Sequence, residues 1–256
     1  MTTITVQATP LVTYALRHAD NALVLGHRLS EWCGKAPTLE EELATANMGL
    51  DLIGQARALY TLAGELEGHG HDEDALAYRR DVGGFTNVLL VEQPNGHFAI
   101  TIARQLLFAA FMAPLWRALT ASRQATLAAI AAKAEKEMAY HVRHAGEWLI
   151  RLGDGTTESH GRAQAALDEL WPFTGELFET DAAERSLIAA GIAVDPQSVR
   201  PAWSATVDAV LAEATLARPA DGWMQTGGRS GRHGEHLGHL LAELQFLQRT
   251  YPDASW

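Results

Sequence analysis

Apolar positions recur along most of this chain at intervals of three and four residues, the period of an amphipathic helix, and strand-like alternation is nearly absent. The pattern predicts a first helix over about Pro10–Cys33, ended by Gly34-Lys35-Ala36-Pro37. Thr38, followed three residues on by Glu41, reads as a capping box for a second helix reaching about Glu67. Gly68-His69-Gly70-His71 is a turn, and a short helix is expected around Asp74–Arg80. Pro94-Asn95-Gly96 breaks the chain before a long helix over about His97–Leu119, where Pro114 is expected to introduce a kink. Ser122 is the expected cap of the next helix, which runs to Leu152 and stops at Gly153-Asp154-Gly155. Less regular helices are predicted over about Ser159–Phe178 and Ala182–Ala190, a loop over Ile192–Arg200 and a helix over Pro201–Ala217. A Gly-rich loop, Arg218–Gly231, precedes a last helix over about His233–Thr250. No shift in composition and no repeat divides the chain, so residues 1–256 are expected to form one all-α domain of long antiparallel helices.

At 100° per residue, several polar side chains fall inside the apolar stripes. Asp20 and His27 lie in the Val12, Leu16, Leu23, Val24 stripe; Asp51 and Gln55 lie in the Met48, Leu52, Leu59, Leu62 stripe. Arg104 falls beside Ile100, Ala103, Leu107 and Phe111, and Glu137, His141, His144 and Trp148 form one row. Two arrangements suit this set. Asp20, Asp51, Glu137 and His141 could ligate a metal, or the whole group could be a hydrogen-bonded core in which Arg104 and the histidines satisfy the carboxylates. Buried charges must be paired or neutralised. In a carboxylate di-iron bundle the metal pair is held by two single Glu residues and two Glu-x-x-His motifs. None of the eleven histidines has a carboxylate three residues before it. The favoured expectation is a buried, metal-free polar cluster of Asp20, His27, Asp51, Gln55, Arg104, Glu137 and His141, at the position a metal site would occupy.

Composition narrows the partners. The formal net charge of -11 argues against nucleic acid and against an anionic membrane surface. No run approaches the ~18 uninterrupted apolar residues of a membrane span. The start of the chain lacks the basic and apolar segments of a signal peptide. Cys33, the single cysteine, fits a reducing compartment, so a cytoplasmic protein is expected. His141/His144 and His233/His236/His239 repeat at zinc-compatible spacing, but no cysteine or further histidine is near in sequence to complete a site. Gly227–Gly234 lacks the Gly-Lys-Ser/Thr ending of a phosphate loop and follows no strand. Arg229 and Arg232 there remain candidates for contact with an anion at a helix start.

Five stretches carry a resemblance across most of the chain: Glu41–Arg57, Leu89–Arg104, His141–Thr156, Leu170–Phe178 and Gly227–Trp256. In these the chain resembles the PaaC-type subunits of bacterial phenylacetyl-CoA 1,2-epoxidase, the monooxygenase of aerobic phenylacetate breakdown. His97 and Gly234 depart from that pattern, both beside helix starts. The resemblance implies a ferritin-like bundle with extra helices, with no cofactor in this chain and no catalytic residue of its own. It implies partners too: a PaaA-type di-iron catalytic subunit, a small PaaB-type subunit and an iron–sulfur flavin reductase using NADPH. A homodimer stays open for the isolated chain. The expected role is a structural subunit. The alternatives are a stand-alone di-iron or di-manganese oxidase with irregular ligands, and an acyl-CoA-binding module using Arg229 and Arg232.

Overall fold

The structure is a computed structural model in which residues 3–252 and 254 are described. Among them there are helices and no strands: α1 (Pro10–Ser30), α2 (Leu39–Glu67), α3 (Glu73–Tyr78), α4 (Leu89–Glu92), α5 (Phe98–Leu119), α6 (Ala125–Gly153), α7 (Thr157–Leu170), α8 (Ala182–Ala189), α9 (Pro196–Glu213), α10 (Glu235–Leu244) and α11 (Phe246–Thr250). The all-α expectation holds. Four long helices make the frame. α1 packs along α2, α5 along α6, and α2 against α6 joins the two hairpins; α7 and α9 lie on the α5–α6 side, α8 and α10 on α1. One hydrophobic cluster runs through all of these layers, from Val12 on α1 to Leu241 on α10.

Local chemistry sets the ends. Thr38 Oγ1 accepts from Glu41 N–H at 3.4 Å, and Gly68 closes α2 in a left-handed conformation at φ 74° with its N–H on Gly64 O. The predicted capping box is only half formed, because the Glu41 carboxylate turns across the bundle to His144. α1 and α2 approach closely where Gly26 faces Gly49: a Cβ on Gly26 would lie 3.2 Å from Gly49 O, tighter than ordinary contact, so a side chain there would push the two helices apart by a few tenths of an ångström.

Several predicted boundaries move, among them the end of the Ser159–Phe178 helix, which stops at Leu170 before two short 3-10 turns, and the end of the first helix, which stops at Ser30. Gln124, not Ser122, caps α6, with Leu127 N–H on its Oε1 at 2.6 Å; the Ser122 hydroxyl is already donating to Ile192 O. α9 begins at Pro196, capped by Asp195, and runs through Pro201 to Glu213, so part of the expected loop is helix. A cap followed by proline at the first position is the stronger start signal. The last helix breaks at Gln245, whose side chain donates to Ala77 O and Arg80 O. Pro114 sits inside α5, which is continuous from Phe98 to Leu119. By length and composition α5 is the one helix among the described residues that passes for a membrane span, but 83% of its apolar window is buried in the bundle.

Candidate functional site

The polar residues expected to form one cluster separate into distinct groups. The innermost is built on Asp20, which is fully buried in mid-α1. Its Oδ1 accepts from Tyr60 Oη at 2.7 Å and Arg80 Nη2 at 2.5 Å; its Oδ2 accepts from Arg80 Nη1 at 3.2 Å, Thr86 N–H at 2.7 Å and Thr86 Oγ1 at 3.0 Å. Arg80 also donates Nε to Leu76 O and Nη1 to Gly84 O, and its guanidinium lies 4.3 Å from the centre of the Phe85 ring. Burial opposes the Arg80 charge, but Asp20 beside it more than compensates and holds it firmly protonated.

A second group crosses from α2 to α6. His141, wholly buried, receives Gln105 Nε2 on Nδ1 at 2.9 Å and places Nε2 3.2 Å from Asp51 Oδ2. One turn on, Gln55 donates to Glu137 Oε2 at 2.8 Å, and Lys133 lies 3.4 Å from its other oxygen. Nearer the start of α2, Glu41 meets His144 at 2.9 Å. These rungs pin α2 to α6. Asp51 is not the buried residue expected: its side chain is 35% exposed.

Arg104 is buried as predicted but serves no carboxylate. It donates Nη1 to Gln93 O and Nη2 to Asn95 Oδ1, holding the turn before α5. Burial, then the neighbouring Arg28 charge, lowers its pKa to about 9. The cation that satisfies the inner carboxylate is therefore Arg80, expected at the end of the short third helix but found just beyond it, in the irregular stretch after α3. His27 is half-buried on α1 and takes part in none of these hydrogen bonds; burial lowers its pKa.

The Gly-rich loop does cradle a carboxyl group, but one from within the protein. Glu176, fully buried, accepts Leu89 N–H at 2.7 Å, Gly227 N–H at 3.0 Å and Arg229 N–H at 3.1 Å. Arg229 is ion-paired with Glu184 and only 14% of its side chain is exposed, whereas Arg232 is exposed. Glu92, also fully buried, accepts Gly234 N–H at 2.7 Å, Asn87 Nδ2 at 3.1 Å and His233 Nδ1 at 2.9 Å. With Nε2 of His233 2.8 Å from Phe85 O, both ring nitrogens face acceptors, an arrangement that suits the charged ring. Burial works against this charge, but the bonds to Glu92 and Phe85 raise the His233 pKa. Neither Glu92 nor Glu176 was singled out from the sequence. Each is a lone carboxylate in an apolar run, Leu89-Leu90-Val91-Glu92 and Gly175-Glu176-Leu177-Phe178, and that was the available signal.

The four candidate ligands do not converge. Asp20 spends both oxygens on five contacts from Arg80, Tyr60 and Thr86, Asp51 and His141 engage each other, and Glu137 engages Gln55 and Lys133. Among the described residues no three His, Cys, Asp or Glu side chains are placed to share one metal ion. The donor set does not fit the carboxylate-held metal pair of a di-iron bundle.

The family model described as "Phenylacetic acid catabolic protein" matches residues 1–256. The chain belongs to this family. It is 53% identical over 246 residues to an Escherichia coli (strain K12) protein named as one of the subunits of 1,2-phenylacetyl-CoA epoxidase, an alignment covering 96% of this chain and 99% of that protein. The resemblance carried by the five stretches thus extends over the full span of the family match, residues 1–256.

Proposed function

We propose that this chain is a structural, metal-free subunit of a phenylacetyl-CoA epoxidase. The observation that carries the reading is the end-to-end match to a relative named as a subunit of such an enzyme. The Asp20–Arg80 pair supports its metal-free part, because a guanidinium already neutralises the buried carboxylate of α1. In this reading residues 1–256 form one ferritin-like domain that works in the cytoplasm. Its partners are a PaaA-type subunit holding di-iron and the acyl-CoA substrate, a small PaaB-type subunit and an iron–sulfur flavin reductase. Its contribution is mechanical. A metal site held on helices depends on rigid support from outside, since small misplacements of reacting groups cost large factors in rate.

The experiment is reconstitution from purified components with one omitted at a time, together with metal analysis of this chain alone and beside its partner. Epoxidation should vanish or fall sharply without this chain, and the iron should follow the partner. Full turnover in its absence would remove the structural role. Turnover by this chain with reductase alone would establish an oxidase instead, and stoichiometric iron in it would refute the metal-free reading.

A further inference from the structure

We propose that a small cavity between α1, α8 and residues 194–196 binds one buried water molecule, held by Tyr14, Arg17, His18 and Glu184. The cavity measures about 20 Å³, and a single water takes roughly 10–15 Å³ and two to four polar partners. All four side chains line it, and none of these residues is more than 7% exposed. Three bring a buried polar atom with no hydrogen bond to protein, Arg17 Nε, His18 Nδ1 and Glu184 Oε2, while Arg17 Nη1 has only the long ion pair to Glu184 Oε1 at 3.5 Å. Tyr14 Oη has the Val194 amide in its vicinity but no acceptor for its own proton. Leaving such buried donors and acceptors unsatisfied is costly.

Electrostatics selects the ligand. Glu184 directs Oε1 to Arg229 and, at 3.5 Å, to Arg17 Nη1, which leaves Oε2 as a pure acceptor. A halide against that oxygen would be repelled. A cation would face Arg17 and Arg229. What remains is a neutral molecule with donors and acceptors in near-tetrahedral array. Burial, then the Arg229 and Arg17 charges, lowers the His18 pKa to about 3, so the ring is neutral and offers one acceptor nitrogen. Burial, and then Glu184, pushes the Tyr14 hydroxyl well above its ordinary value, so it keeps its proton to donate. The water donates to Glu184 Oε2 and accepts from Tyr14 or Arg17. It thereby completes a network that already joins α1 to the start of α8 through Arg17 and Asp181 at 2.5 Å.

The test is a crystal structure of the full chain at a resolution that shows ordered solvent, with a parallel bromide soak. The expected result is a solvent peak within hydrogen-bond distance of Glu184 Oε2 and of at least one atom among Tyr14 Oη, Arg17 Nε, Arg17 Nη1 and His18 Nδ1. In Tyr14→Phe, which keeps the ring that packs on His18, the peak should weaken or shift away from position 14. A cavity without a peak, or side chains paired directly across it, would overturn the proposal. So would an anomalous bromide signal there, which would make the site one for anions. A peak unchanged in Tyr14→Phe would remove Tyr14 from the ligands.

Discussion

Arg80→Met should destabilise the isolated chain by about 3–5 kcal/mol, the range that follows from removing one partner of a buried ion pair. Asp20 would lose the two Arg80 contacts but keep Tyr60 Oη, Thr86 N–H and Thr86 Oγ1, so the stranded carboxylate is not bare. The carbonyls of Leu76 and Gly84 would also lose their donor, each worth about 1 kcal/mol net. Asp20→Leu should cost a similar amount, since it strands a buried guanidinium. The double variant Asp20→Leu/Arg80→Met removes both charges at once, and well-packed apolar replacements of a buried pair are often close to neutral. Its stability is expected within about 2 kcal/mol of the parent, a large non-additivity for residues in direct contact. Urea unfolding followed by far-ultraviolet circular dichroism on the parent, both single variants and the double gives the cycle. A cost below about 1 kcal/mol for Arg80→Met, the range of an exposed pair, or strictly additive effects, would refute the buried pair as the anchor of α1.

Two histidines should shift stability with pH in opposite senses. His233 has a raised pKa in the fold, so its contribution is complete below the ordinary value of 6.5 and is lost as pH rises through the folded value; urea midpoints against pH should show that decline in the parent and not in His233→Gln. His18 has its pKa lowered to about 3, so its contribution is complete above the ordinary 6.5 and is lost as pH falls towards 3; His18→Phe should blunt acid unfolding in the same titration. Glu176→Ala leaves the amides of Leu89, Gly227 and Arg229 without their acceptor, and at about 1–3 kcal/mol for a buried unsatisfied group it should lower the melting temperature and speed proteolysis within residues 218–231. An unchanged cleavage rate there would show that the carboxylate does not fasten the loop.

The sequence by itself determined the helices. The three- and four-residue spacing of apolar side chains located every long helix, because a helix must bury one stripe wherever it lies in the fold. It also carried the family, through long runs in order. The missing Glu-x-x-His is legible too, as a local pattern on one helix face. What tertiary structure alone decided is which polar groups meet. Asp20 and Arg80 are sixty positions apart in the chain, Asp51 and His141 ninety, Glu92 and His233 more than a hundred and forty. Helical phase says that Asp20 and Arg104 point inward, but not that a loop residue reaches Asp20 first while Arg104 turns to backbone carbonyls. Phase also misplaced Asp51, which lies at the edge of the α2–α6 contact and stays partly in water. The Gly-rich loop shows the same division. Its two arginines were readable as an anion contact, but the group held there is the carboxyl of Glu176, fifty residues back, taken by backbone amides that only the fold brings to it. A local period fixes direction around one helix axis, whereas pairing depends on where the next element crosses it.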